Sequence, residues 1–301
     1  MKELNLQWGQ PQFLHPFWKD KLRIMGGSEE GLLYANDHKL LPQAILDLHH
    51  MEQNVAEGDY EVVIGNGASQ VLQAAIYATE AAVAWAKPPY FNRFPLFAQL
   101  AGATWGYEVG WPSVQIVTIP NNPDGSTGKG YSITNKKSIY DLCYNWRQYT
   151  NPKAFNKDIM VFSLAKAFGF AGTRVGWALV KDKETAKKMR QFIENQTCGV
   201  SFEAQEKAYC IISYHLLKLG DVMDFGRKEL DNRWKQINGK VVCALSNSGM
   251  FLWTGTRDFY EARGIIGIGG EQFGGTKEQL RINLGGSMED HEEFVRRITC
   301  S

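Results

Sequence analysis

Val62-Val-Ile64-Gly65-Asn-Gly67-Ala-Ser69-Gln70 is the stretch whose reading decides the fold class. Three β-branched residues read as a short buried strand, and Gly65-Asn-Gly67 breaks it. The run from Ala68 to Thr79 then carries Val71, Leu72, Ala75 and Ile76 at helical spacing. The result is a strand, a glycine turn and a helix, the unit from which parallel α/β sheets are assembled. The amides of Ala68 and Ser69 and the positive end of the helix dipole would face an anion there. Many glycine turns bind nothing, however, and this one lacks the third glycine and the downstream acidic residue of a dinucleotide fingerprint.

The alternation extends in both directions. Ala44, Ile45, Leu48, Met51 and Val55 form an amphipathic stripe before the strand. Further strands are expected at Ala82 to Ala86, Gln115 to Ile119, Ile159 to Ser163 and Val175 to Val180, with helices at Lys136 to Arg147 and Lys183 to Glu194. Beyond about residue 200 the pattern changes to long helices at Phe202 to Leu219 and Val222 to Ile237. Extended pieces near Met250 to Thr254 and Gln279 to Leu284 and a helix at Asp290 to Arg297 follow. The expectation is an α/β protein with a mostly parallel sheet between helices in a large domain, 36–215. A smaller α+β domain is expected from 1–35 together with 216–301.

Composition narrows the function classes. The 301 residues are 44% hydrophobic and 22% charged, and 33 basic against 32 acidic residues leave a net charge of +1 without a block of one sign. That argues against a nucleic-acid or membrane partner and for a small molecule. The five cysteines are scattered and never in CxxC spacing, which points to reduced thiols and a cytoplasmic location. No apolar run is long enough to span a bilayer, and no targeting segment is evident. His49 and His50 share no ligand spacing with His38, and no Cys/His cluster suggests a metal.

Candidate chemistry lies in Ser163-Leu-Ala-Lys166, which closes an apolar stretch, and in Arg174, eight positions on in Gly172-Thr-Arg-Val-Gly-Trp177. A lysine attacks an aldehyde only as the free amine, so it needs a partly desolvated place near other positive charge. Beside a phosphate-binding arginine, such a lysine suits a phosphorylated aldehyde, pyridoxal phosphate. On these residues alone, a solvated Lys166 and a surface ion pair at Arg174 read equally well. Pro120-Asn-Asn-Pro-Asp-Gly125 is either a simple turn or a ligand loop at a strand's C-terminal end. Asp141 and Tyr144 are either a surface carboxylate and a half-buried phenol or two groups facing one ring.

Taken in order, these segments resemble the alliinase and tryptophan aminotransferase family of fold-type I pyridoxal phosphate enzymes. The likeness runs through Pro120 to Gly125, Ser138-Ile-Tyr-Asp-Leu-Cys-Tyr144, Arg147-Gln-Tyr-Thr150, Asp158-Ile-Met-Val-Phe162, Lys166 and Ala171-Gly-Thr-Arg-Val-Gly-Trp-Ala-Leu-Val-Lys-Asp182. Gly9-Gln-Pro-Gln-Phe13 and Pro16-Phe-Trp18 are similar to that family's opening motif. Gly65 to Gln70 resembles its phosphate turn, and Leu280-Arg-Ile-Asn-Leu284 its carboxylate-binding strand.

The resemblance implies an aspartate aminotransferase-like fold type I and a role for each matching position. Lys166 would bind pyridoxal 5′-phosphate covalently and shuttle a proton, and Asp141 would pair with the ring nitrogen. Asn122 and Tyr144 would hold the ring's phenolic oxygen, and Tyr90 would stack on its face. Ser163 and Arg174, with Gly67, Ala68 and Ser69, would hold the phosphate. Arg281 would clamp the substrate carboxylate alongside Asn122, and Tyr34 would reach across a homodimer interface. The implied activity is an aminotransferase acting on an L-amino acid, with an aromatic, tryptophan-like one preferred, and a 2-oxo acid. An alliinase-like carbon–sulfur β-lyase with the same cofactor is the alternative. Ala165 and Phe170 depart from the family pattern, and 239–281 is shorter than in it.

Overall fold

Strands buried on both faces read as unbroken apolar runs, and the centre of this molecule is built from such runs. It is a computed structural model that describes residues 4–6, 12–18, 38–106, 113–128 and 137–299. The first elements are β1 (Leu4–Asn5), α1 (His15–Trp18), α2 (Leu41–Glu52), β2 (Glu61–Asn66) and α3 (Gly67–Ala78). Next come β3 (Val83–Trp85), α4 (Phe94–Leu100), β4 (Thr104–Trp105), β5 (Val114–Thr118) and β6 (Lys137–Asp141). Then follow β7 (Ile159–Ser163), α5 (Leu164–Phe168), β8 (Val175–Val180), α6 (Lys183–Thr197), α7 (Phe202–Leu217) and α8 (Asp221–Ile237). The chain continues through β9 (Phe251–Thr254), α9 (Arg257–Glu261), β10 (Ile265–Ile266), β11 (Ile268–Gly269), β12 (Leu280–Asn283) and α10 (Met288–Thr299).

Seven strands form the main sheet in the order β2-β8-β7-β6-β5-β3-β4. The pairings are parallel except around β8, which runs antiparallel to both β2 and β7. Period-2 alternation along β8 divides the core. Val175, Trp177 and Leu179 pack on one face with Trp146 and Phe162, while Ala178 and Val180 pack on the other with Val71 and Ala75. Helices therefore cover both faces.

Register, more than any single contact, assembles the functional edge. Gly176 pairs with Gly65 on one side and Ser163 on the other, Val161 pairs with Asp141, and Asp141 with Thr118. The C-terminal ends of β2, β5, β6 and β7 thus lie in one row, where open α/β sheets bind ligands.

A separate antiparallel sheet, β11-β12-β9, has its own apolar cluster with Leu252, Tyr260, Leu280, Ile282 and Phe294. Helix α8 serves both parts, since Val222, Met223 and Leu230 pack into the main core and Ile237 into the small one.

One expectation is corrected. The helix foreseen from Lys136 to Arg147 is instead β6 followed by turns. Ile139, Leu142, Cys143 and Trp146 imitate helical spacing, but Lys137–Asp141 is paired on both sides by β5 and β7, and that pairing overrides the local pattern.

Candidate active site

The glycine turn between β2 and α3 can exist only because two glycines leave room for it. Gly67 has φ +77°, and a Cβ on it would lie 2.4 Å from Nη2 of Arg174. A Cβ on Gly176 would lie 2.4 Å from the Ala68 nitrogen. The backbone at Ala68 is thereby pressed against β8, and the guanidinium of Arg174 is laid over the turn. Arg174 itself takes a left-handed conformation, φ +57°, and donates from Nη1 to the Ala171 carbonyl at 2.9 Å.

Lys166 sits on α5, which follows β7 directly and stops after five residues at Gly169, φ +82°. The Lys166 carbonyl accepts hydrogen bonds from the Tyr149 hydroxyl at 2.8 Å and from Gln148 Nε2 at 3.1 Å, so the backbone carrying the amine is pinned. The side chain is half-buried, with Nζ 5.4 Å from the centroid of the Tyr144 ring. Burial depresses its pKa to about 8, Arg281 and Arg174 push the same way, and Cys143 and Asp141 oppose. The solvated-loop reading of this lysine is therefore replaced by a desolvated one.

Asp141 ends β6 with 4% of its surface exposed, and its Oδ1 accepts from the Cys143 amide at 3.2 Å. Burial raises its pKa, offset in part by that neighbour and by Lys166. Tyr144 is buried between Tyr149 and Phe251, and burial raises its pKa well above the ordinary phenol value. Arg281 projects from β12, and its Nη1 donates to Asn122 Oδ1 at 2.8 Å. Burial lowers the Arg281 pKa to about 10.

These groups line one cavity of about 530 Å³. Of the residues marked by the resemblance, Ala68, Ser69, Asn122, Asp141, Tyr144, Ser163, Lys166, Arg174 and Arg281 lie on its wall, and Gly67 stands behind Arg174. Tyr90 does not. It lines a neighbouring cavity of about 190 Å³ with Asn121 and Asp124. Its amide is tied to the Phe273 carbonyl at 2.9 Å, and its ring packs edge-on against Trp105 at 5.1 Å. In its place Phe91, the next residue, lines the cavity that holds the other expected groups. Tyr34 and residues 9–11 of the opening motif lie outside the described residues.

Sequence reading missed Phe91, Cys143, Phe251 and Ile268, which also line the cavity. Phe91 follows Tyr90 and Cys143 stands between Asp141 and Tyr144, so adjacency was a usable signal for these two. Phe251 and Ile268 carried none.

The Alliinase_C family model, described as Allinase, matches residues 4–254. The chain belongs to the alliinase family. Tryptophan aminotransferase-related protein 2 of Oryza sativa subsp. japonica is 30% identical over 298 residues, covering 82% of this chain. The chain spans 57% of that relative's length. Alliin lyase of Allium cepa var. aggregatum is 29% identical over 226 residues, 65% of this chain and 50% of that protein. Among solved structures, a Thermus thermophilus aspartate aminotransferase tetra mutant superposes with a TM-score of 0.79 at 16% identity, over 98% of this chain and 95% of that one. The fold is therefore the aspartate aminotransferase-like α/β fold.

Pyridoxal 5′-phosphate is the cofactor of the alliinase family, and the donors present here fit it. A half-buried amine with a pKa near 8 suits an aldehyde. The tight turn that only glycine permits presents amides, two serines and a guanidinium, which suit a phosphate dianion.

Proposed function

We propose that this protein is a pyridoxal phosphate-dependent aminotransferase that moves an amino group from an L-amino acid, an aromatic one by preference, to a 2-oxo acid. The observation that carries this is a single cavity whose wall unites the depressed-pKa Lys166 with Asp141, Arg174 and Arg281. Its apolar wall of Leu72, Phe91, Phe251 and Ile268 supports a large side chain.

When bound, the cofactor supplies an aldehyde carbon that takes the substrate nitrogen and a ring that withdraws electrons from the substrate Cα. Arg174, Ser69, Ser163 and the amides at the start of α3 hold the phosphate, where the helix dipole adds to the attraction. Asp141 keeps a proton on the ring nitrogen, since a cationic N–H beside a buried carboxylate reverses the effect of burial. Tyr144 remains a protonated donor to the phenolic oxygen, next to Asn122. Phe91 is the aromatic side chain of its segment available to the ring face. The Lys166 amine, once free, would be the base that takes and returns the proton at the substrate Cα. Arg281 grips the α-carboxylate, and its bond to Asn122 couples that grip to the group holding the ring.

The competing reading is a carbon–sulfur β-lyase, favoured by the 29% identity to an alliin lyase. The larger share of the chain covered by the tryptophan aminotransferase-related relative, 82% against 65%, supports transamination. A panel of L-amino acids with and without a 2-oxo acid, read through the cofactor spectrum and product analysis, tests the choice. A strict requirement for the acceptor supports the aminotransferase, and release of ammonia and a 2-oxo acid without one supports the lyase.

The proposal includes a homodimer, a division into 36–215 and 1–35 with 216–301, and a reducing compartment such as the cytoplasm. The separate core of the small sheet supports the division. The four described cysteines, all free thiols, support the compartment.

A further inference from the structure

We propose that Phe273 and Phe251 are positioning residues for Arg281, covering its guanidinium with aromatic rings so that it meets a carboxylate as a dehydrated fork of fixed orientation. This rests on the reading of Arg281 as the carboxylate clamp. The Arg281 Cζ lies 4.3 Å from the Phe251 ring centroid and 5.0 Å from that of Phe273. Both distances are within the range in which a ring quadrupole attracts a cation. Arg281 is 4% exposed, so its charge has given up most of its water. Ring faces offset that loss without taking a hydrogen bond.

The two rings are anchored differently. Phe251 lines the cavity and meets Tyr144 edge-on at 5.6 Å, so it also borders the substrate. Phe273 is fully buried and absent from the cavity wall, with its ring edge-on to Trp253 at 5.6 Å and its carbonyl holding the Tyr90 amide. Among the described residues, Phe273 therefore meets the cavity through Arg281. Trp253 is also the strand partner of Arg281 across β9 and β12, so arginine, ring and strand form one block.

Site-specific replacement of Phe273 by mono-, di- and trifluorophenylalanine tests this, because fluorine withdraws charge from the ring face while nearly preserving its shape. The probes are 3-phenylpropanoate and its amide, 3-phenylpropanamide, titrated by calorimetry into cofactor-loaded and cofactor-stripped protein. The expected result is a stepwise loss of carboxylate affinity reaching roughly 2- to 30-fold. Amide affinity and the unfolding midpoint stay constant, and KM rises while kcat holds. A flat series overturns the proposal, because packing alone would be indifferent to ring charge. Arg281→Gln separates the two levels. If it abolishes the carboxylate preference while the fluorinated series is flat, only the positioning role falls. If it leaves the preference intact, or the unsubstituted protein has none, the clamp reading falls and takes the proposal with it. A parallel series at Phe251 gives an independent result, expected to weaken the carboxylate at least as much because that ring is nearer.

Discussion

Replacing Gly176 by alanine adds one methyl at the place where β8 touches the phosphate turn. An ideal Cβ there lies 2.4 Å from the Ala68 nitrogen and 2.5 Å from the Gly67 carbonyl carbon, whereas ordinary contacts begin at 3.4 Å. The shortfall is about 1 Å, and both neighbours are backbone, so no side chain can swing away. Overpacking of this kind costs about 1–3 kcal/mol, which for a chain of this size lowers Tm by several degrees, at roughly 2–4 °C per kcal/mol. The larger effect falls on the cofactor. A turn displaced by about 1 Å loses one of its charge-assisted bonds to phosphate, about 1.5–3 kcal/mol, so Kd for pyridoxal phosphate should rise by about 10- to 100-fold. Fluorescence titration of the cofactor-stripped protein and thermal unfolding with and without cofactor measure the two parts. Gly255→Ala is the control, because the nearest atom to its Cβ is 3.8 Å away. If Gly176→Ala binds cofactor as tightly as the unsubstituted protein, the turn does not owe its place to this close approach.

Further outcomes test the remaining roles. Borohydride should bleach the cofactor-loaded protein and fix the label to Lys166, and label found on any other lysine rejects the assignment. In the cofactor-stripped protein, acylation of Lys166 should rise with pH around a midpoint of about 8. Because that folded-state value is depressed below 10.5, the folded chain binds fewer protons than the unfolded chain between the two, and this lysine's contribution to stability rises with pH across the window. Asp141→Ala should keep measurable cofactor binding but lower turnover by roughly 10²–10³-fold, and unchanged turnover removes its role at the ring nitrogen. Light scattering should return about two chain masses, and a strict monomer would exclude the proposed dimer.

Much of the fold was legible because local pattern and final environment agree. The buried runs Ile159–Ser163 and Val175–Val180, the glycine turn and the amphipathic helices α6 and α8 were each readable within their own segment. Legibility failed where distant partners decide. Lys137–Asp141 is a strand because β5 and β7 enclose it, and α4 went unread because Phe94, Phe97 and Ala98 make sense only against Val71 and Ile116 in the core beneath. Tyr90 and Phe91 are adjacent in sequence, yet their rings line two different cavities, with the Tyr90 amide tied to Phe273 and its ring packed on Trp105.

By itself the sequence determined the kinds of group present and their order: an amine after an apolar strand, an arginine eight positions later, a glycine turn before a helix. Those are local facts, written in side-chain chemistry and hydrophobic period. Tertiary structure alone decided that Asn122 and Arg281, 159 residues apart, share a hydrogen bond. It also decided that burial brings Lys166 to a pKa of about 8, and that Phe251 and Phe273 cover the arginine. Desolvation and cross-chain contact are properties of what surrounds a residue, and strand register and packing across the whole chain create those surroundings.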